Sequence, residues 1–310
     1  VGSGIGGIRT FEQQCGSFAT GGPGRVSPFL IPMFISDMAS GMISILHDLR
    51  GPNFSIVSAC ATGSHALGEA WWVIKRGDAD VMIAGGSEAC LAPTGLAGFC
   101  KMKALSERND DPQTASRPFD LDRDGFVMAE GAGVLVIESL EHATKRNATI
   151  LAEIIGYSAS ADAYHMTAPR PDGDGAAEAI RTALKRADVA PADVDYINAH
   201  GTSTPFNDKY ETMAIKSAFG EHAGKVPISS TKALTGHTLG AAGGIETIFC
   251  IQALNHSIVP GTFNFQTADP ECDLDYVQNE SRETQVKVAL NMNFGFGGHN
   301  ATIVIKKFEG

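Results

Sequence analysis

At 310 residues the chain can hold a large core, organised as one or two α/β domains. Its composition, 43% hydrophobic and 19% charged, is that of an ordinary soluble protein, and no apolar run approaches the roughly 18 residues of a transmembrane helix. A formal net charge of −11 argues against generic binding to nucleic acid or to an anionic membrane.

The opening residues "VGSGIGGIRT" lack the basic-then-apolar pattern of a secretory signal. They contain a G-x-G pattern, but no strand precedes it, so a dinucleotide site is not supported. "NFSIVS" then reads as a buried strand. It runs into a helix whose apolar face is Ala66, Leu67, Ala70, Trp71 and Ile74, with Gly77 as its stop. "ADVMIAGG" reads as a second buried strand, and "SERNDDPQTASR" as the longest polar loop. "DLDRDG" at 120–125 opens like a calcium loop but has Gly131 where the twelfth-position Glu is needed, so it is read as a polar turn. "GAGVLVIESLEHATKRN" is strand then amphipathic helix, and "DVDYINAHGTSTP" is a strand entering a polar loop. "VPISSTKALTGH" repeats that plan before a helix through "AAGGIETIFCIQAL". The tail "VKVALNMNFGFGGHNATIVIKK" predicts a hairpin about a Gly-rich turn. Strands alternating with helices make the chain α/β.

Six cysteines (15, 60, 90, 100, 250, 272) form no CxxC pair, which argues against a disulfide framework or a zinc cage and for a reducing cytosol. No His/Cys/Asp/Glu group has metal-ligand spacing. Cys60 stands apart from the rest because it falls where a predicted strand becomes a helix. A helix N-terminus there favours thiolate over thiol. His200 and His237 each lie beside Gly in a loop after a predicted strand, where open α/β sheets bind ligands. Neutral imidazoles so placed can stabilise a developing oxyanion or shuttle protons. Lys232, if buried, needs a carboxylate, and Asp208, Glu211 and Glu246 are the candidates.

Four stretches carry a resemblance: "VSACATGSHALG", "NAHGTSTP", "STKALTGHTLGAAGG" and "NFGFGGHN". In this order they look like the signatures of the β-ketoacyl-acyl-carrier-protein synthases, closest to the elongating enzymes of fatty-acid synthesis. "RGP", "GDADVMIAGGSE", "ALSERNDDPQTASRPFD" and "ADAYHMTAPRPDG" extend the likeness through essentially the whole chain. The family carries roughly another hundred residues before the point matching Val1, and His299 stands where many bacterial members have Thr. The implied fold is thiolase-like, with two similar α/β halves and five-stranded mixed sheets layered between helices. Residues 1–148 would be the first half, incomplete here and carrying the nucleophile. Residues 149–310 would be the second, carrying both histidine loops and the Phe296 gate.

The resemblance further implies decarboxylative condensation of a malonyl thioester with an acyl group held on Cys60. The oxyanion hole would come from the N–H groups of Cys60 and Phe296, and His200 and His237 would stabilise the enolate. Lys232 would orient the His237 loop through Glu246, with Asp208 and Glu211 in support. Thr202 and Thr204 would contact the pantetheine amides, and the 161–173 loop would move with the gate. No bound cofactor is implied, since the 4′-phosphopantetheine arrives on acyl carrier protein, with Arg25, Lys101 and Lys103 as docking candidates. A cytoplasmic homodimer is expected. The alternatives are a polyketide-type ketosynthase, a catalytically silent subunit, and a cysteine hydrolase. The second is disfavoured by the presence of Cys60, and the third leaves the second Gly-His loop and Lys232 unexplained.

Overall fold

The computed structural model describes all of residues 1–310, which form ten α-helices and nine strands. The first part has helices α1 (Ile8–Gly21), α2 (Leu30–Phe34), α3 (Met38–His47) and α4 (Thr62–Lys75). Strand β1 (Val81–Glu88), helix α5 (Pro93–Lys101), strand β2 (Gly131–Glu138) and helix α6 (Leu140–Lys145) follow. Next come β3 (Glu153–Ala161), α7 (Asp174–Ala187), β4 (Tyr196–Asn198), α8 (Pro205–Phe219) and β5 (Ile228–Ser229). The chain closes with α9 (Lys232–Thr235), α10 (Ala242–His256), β6 (Ile258–Val259), β7 (Arg282–Glu283), β8 (Val288–Gly295) and β9 (His299–Lys306). No helix is long and apolar enough to cross a membrane.

A five-stranded sheet in the order β3-β9-β8-β4-β5 organises the second part. It is mixed: β9 runs antiparallel to β3 and β8, whereas β4 is parallel to β8 and β5. Residues 288–293 of β8 are all buried, as a central strand covered on both faces requires. On one face, α7 and α8 contribute Ile180, Leu184, Ile215 and Phe219 to a core with Ile197 and Leu290. Helix α7 can do this because its apolar residues recur at helical spacing from Ala176 to Leu184. On the other face, Leu67 and Trp71 of α4 and Cys250 and Leu254 of α10 pack with Ile303 and Ile305. Helices α4 and α10 thus lie between this sheet and the antiparallel pair β1–β2. The layering is the thiolase-like arrangement that the resemblance implies.

The tail is the expected hairpin, with β8 and β9 in register from Val288–Lys306 to Gly295–His299. Gly297 and Gly298 turn it at φ +93° and +73°. One element differs from expectation. Residues 53–58 are not a buried strand: they form no strand pairing, with Phe54 48% and Val57 55% exposed. Apolar character alone specifies a strand only where a neighbour accepts its hydrogen bonds, and no strand of the chain pairs with this segment. β1 is likewise buried only toward its Glu88 end, with Val81 exposed.

Candidate active site

Cys60 sits in the short 3₁₀ turn Ala59–Ala61 that leads directly into α4. The turn is tight: Ala59 adopts φ +50°, a conformation that costs a non-glycine residue energy and needs neighbours to hold it. Ser58 supplies part of that support, its carbonyl accepting from Ala61 N–H at 3.1 Å and its N–H donating to Thr62 Oγ1 at 2.8 Å. The end of β8 presses against the same turn. A Cβ on Gly295 would lie 2.5 Å from the Ser58 oxygen and 3.2 Å from the Cys60 nitrogen, so only glycine fits. Burial pushes the Cys60 thiol up to about 12, with the Lys232 charge pulling the other way. The resting group is therefore a thiol, and the helix terminus does not by itself make it a thiolate.

His200 follows the end of β4, and His237 lies between α9 and α10. Their rings meet edge to face with centroids 5.3 Å apart, flanked by Phe294 beside His200 and Phe126 beside His237. Both are buried, and the Nδ1 of each lacks a hydrogen-bond partner. Desolvation, with the nearby Lys232 charge, holds both well below the usual histidine range, so both are neutral at pH 7. The His237 backbone is fixed by donation to the Val127 carbonyl at 2.7 Å and acceptance from Ala129 N–H at 3.0 Å. Glu211 of α8 accepts from the His200 and Gly201 N–H groups at 2.6 and 2.7 Å. Burial raises the Glu211 carboxyl to about 8, and those donors oppose the rise.

Lys232 is almost fully buried, and of the three candidate carboxylates Glu246 is the one it pairs with. Its ammonium also donates to the His200 carbonyl at 2.5 Å, so it ties α10 to the His200 loop rather than bracing His237 alone. Asp208 holds something else. It accepts from Phe119 N–H at 2.8 Å and faces Arg123 at 3.8 Å, anchoring the 117–125 segment to α8. Sequence separation could not distinguish these partners, since Asp208 and Glu211 lie one turn apart on the same helix.

A cavity of about 340 Å³ gathers Cys60, His200, His237, Thr202, Thr204 and Phe296 on its wall. The two threonine hydroxyls are 2.9 Å apart. Phe296 tilts against Phe99 at 6.4 Å between centroids. Residues 167–169 of the 161–173 loop also line the cavity, and Gly297 N–H donates to Met166 O at 2.8 Å. Lys103 is on the wall as well; exposed Lys101 lies two residues away, while exposed Arg25 is not among the lining residues.

Several supporting residues were not legible in the sequence. Glu88 at the end of β1 accepts from the N–H groups of Gly4, Ile5 and Gly240, binding the first residues to the loop before α10. Asn293 of β8 donates to Glu246 at 2.6 Å and accepts from Ser64 of α4 at 2.5 Å. The Glu closing "GGSE" and the two Asn within an apolar strand were the available signals, because buried polar groups require partners.

"Beta-ketoacyl synthase, N-terminal domain" matches residues 1–143, and "Beta-ketoacyl synthase, C-terminal domain" matches residues 151–266. The chain is 52% identical over 307 residues to "3-oxoacyl-[acyl-carrier-protein] synthase 2" of Coxiella burnetii, covering 99% of this chain and 74% of that protein. It is 53% identical over 309 residues to the protein of the same description from Synechocystis, covering 100% and 74%. Among solved structures, a β-ketoacyl synthase from Burkholderia phymatum aligns at TM-score 0.93 and 37% identity, covering 99% of this chain and 74% of that one. A ketosynthase in complex with its type II polyketide acyl-carrier protein aligns at 0.95 and 39%, covering 99% and 78%. On sequence and fold together, the chain belongs to the β-ketoacyl synthase family of condensing enzymes.

Proposed function

We propose that the chain is a 3-oxoacyl-acyl-carrier-protein synthase that lengthens fatty acids by decarboxylative condensation. The observation that carries this reading is the single cavity in which Cys60 meets two neutral, buried histidines. In the first step the Cys60 sulfur attacks the thioester carbonyl of an acyl chain carried on 4′-phosphopantetheine. The carrier's thiol leaves, and an acyl-Cys60 thioester remains. Because burial keeps Cys60 as a thiol, its proton must move as the bond forms; a neutral imidazole lining the same cavity accepts it and passes it to the departing carrier sulfur, so both rings are neutral again before the second step. The Cys60 and Phe296 N–H groups are assigned to the oxyanion.

In the second step a malonyl thioester loses carbon dioxide. The electron pair of the broken C–C bond passes to the thioester oxygen as an enolate, which His200 and His237 stabilise by donating N–H bonds. One such donor contributes about 2.7–4 kcal/mol to lowering a barrier of this kind. The enolate carbon then attacks acyl-Cys60, the C–S bond breaks, and the departing cysteine sulfur takes up one proton from solvent to return to the thiol. Lys232, Glu246 and Glu211 position the histidines, Asp208 anchors the neighbouring segment, and Thr202 and Thr204 contact the pantetheine amides. Phe296 is the gate, with the 161–173 loop as its partner.

Acyl carrier protein is the assigned partner, docked through Lys103, Lys101 and Arg25. A second copy of the chain would cover apolar side chains on α2 and α3, such as Ile31 at 61% and Leu46 at 77% exposed. The two halves divide near residue 148, a position that falls between the two matched family descriptions. A cytoplasmic setting agrees with free cysteines at the surface, Cys15 and Cys100. The polyketide reading has the ketosynthase neighbour in its favour, but 39% identity there stands against 52–53% to the fatty-acid enzymes.

Cys60→Ala tests the proposal. This variant should lose acyl transfer and condensation while still releasing carbon dioxide from the malonyl thioester. Condensation surviving in Cys60→Ala would exclude Cys60 as the acyl carrier.

A further inference from the structure

The side chain of His65 lies on α4, just past the Cys60 turn, and is buried at 8% exposure. Its Nδ1 is 2.6 Å from Ser58 Oγ, and its Nε2 is 3.3 Å from the Asn300 carbonyl oxygen. A carbonyl can only accept, so Nε2 carries the proton, and the Ser58 hydroxyl donates to Nδ1. This neutral tautomer satisfies both contacts at once. Burial supports it by holding the ring down to about 4.

Ser58 is the residue on which the strained Ala59–Cys60 turn rests. With its N–H and carbonyl engaged by Thr62 and Ala61, the hydroxyl bond to His65 is the third tie on one residue. At the other end, Asn300 Nδ2 donates to Asp162 Oδ1 at 2.7 Å. Asp162 in turn donates its N–H to Gly298 O at 2.9 Å and accepts from Arg170 N–H at 3.0 Å. Asp162, Gly298 and Asn300 line the same cavity as Cys60. An unbroken buried chain therefore runs from the nucleophile's turn through Ser58, His65, Asn300 and Asp162 to the 161–173 loop.

We propose that His65 is a positioning residue that locks the Cys60 turn to the Asn300–Asp162 wall of the cavity, so that acyl transfer to Cys60 depends on it. The role is confined to the acylation half of the reaction. His200 and His237 are held by Glu211 and by the Val127 carbonyl, through neither of which this chain passes. The inference rests on Cys60 being the acyl acceptor.

The test follows both half-reactions on the intact protein. Acylation by an acyl-pantetheine thioester is read by intact mass against time, and carbon dioxide release from a malonyl thioester is measured on the same preparations. Ser58→Ala and His65→Gln should each slow acylation by about tenfold or more, as expected for a buried bond lost beside a reacting atom, and leave decarboxylation within about twofold. His65→Asn, whose side-chain oxygen can accept from Ser58 but which leaves the Asn300 carbonyl without its donor, should stay slow, because the lock needs both bonds; a full acylation rate in this variant would overturn the link to the Asn300–Asp162 wall. Acylation unchanged in Ser58→Ala and His65→Gln, or both half-reactions falling together, would overturn the positioning role while leaving the nucleophile assignment intact. Absence of acyl label on Cys60 in the unaltered protein would instead overturn that assignment, and the role of His65 with it.

Discussion

Lys232 is a cation with almost no water around it, and its fate depends on Glu246 and the His200 carbonyl. Burial alone raises the Glu246 carboxyl, and the Lys232 charge is the main influence that opposes the rise. Lys232→Met should therefore destabilise the protein by about 3–5 kcal/mol, because it leaves a buried carboxylate unpaired. Adding Glu246→Gln should restore a large part of that loss, since the remaining group is neutral and can still bond Asn293. Urea unfolding of the two variants checks this, and equal stability would mean that the ion pair is not what holds the loop. At this scale Cys60, His200 and His237 stood out in the sequence because each falls in a turn after a predicted strand, where open α/β sheets bind ligands, although the structure places only His200 directly after one. Ser58, His65 and Asn300 did not, because their roles rest on hydrogen bonds between residues up to 235 apart in the chain.

Among the elements, α4 and α10 carry the most constraint. They cross with backbone nearly touching backbone. A Cβ on Gly63 would lie 2.7 Å from the Gly244 nitrogen, and one on Gly243 would lie 2.3 Å from the Ser64 nitrogen. Each helix begins from a 3₁₀ turn, Ala59–Ala61 before α4 and Leu239–Ala241 before α10, so separating them would move Cys60 and the loop after His237 together. Gly63→Ala should cost about 1–3 kcal/mol through overpacking, with a loss of condensation larger than the fall in thermal midpoint would explain. Thermal unfolding and turnover on the same sample would show it, and full activity at native stability would refute the close-crossing account. Glycines in "GAAGG" and "CATG" hinted at close approach, but not at what approached. Residues 53–58 show the complementary failure, since local apolar pattern cannot supply the neighbouring strand that a ladder needs.

For the whole molecule, the net charge of −11 sets a condition on partners. Docking of the proposed carrier protein, if that partner is acidic, requires a local cationic patch against a repulsive background, and the field of such a patch is screened over about 8 Å at physiological salt. Lys103 is the basic side chain on the cavity wall. Lys103→Glu should raise KM for carrier-borne substrates severalfold and leave KM for short pantetheine thioesters unchanged. Titrating salt should erase much of the difference. Equal effects on both substrate types would place Lys103 inside the pocket chemistry rather than at the docking surface.

The amino-acid sequence by itself determined the α/β class, the turn-to-helix setting of Cys60, the hairpin at the end and the four signature stretches. All of these are written in local periodicity, in glycine placement and in short runs of contiguous residues. Tertiary structure alone decided that Lys232 pairs with Glu246 while Asp208 serves Arg123 and Phe119, and that burial keeps the Cys60 thiol protonated. It also decided that His65 joins the nucleophile's turn to the cavity wall. Partner choice and desolvation depend on which distant segments share the same dry space, and that is settled only when the sheet and its two central helices have packed.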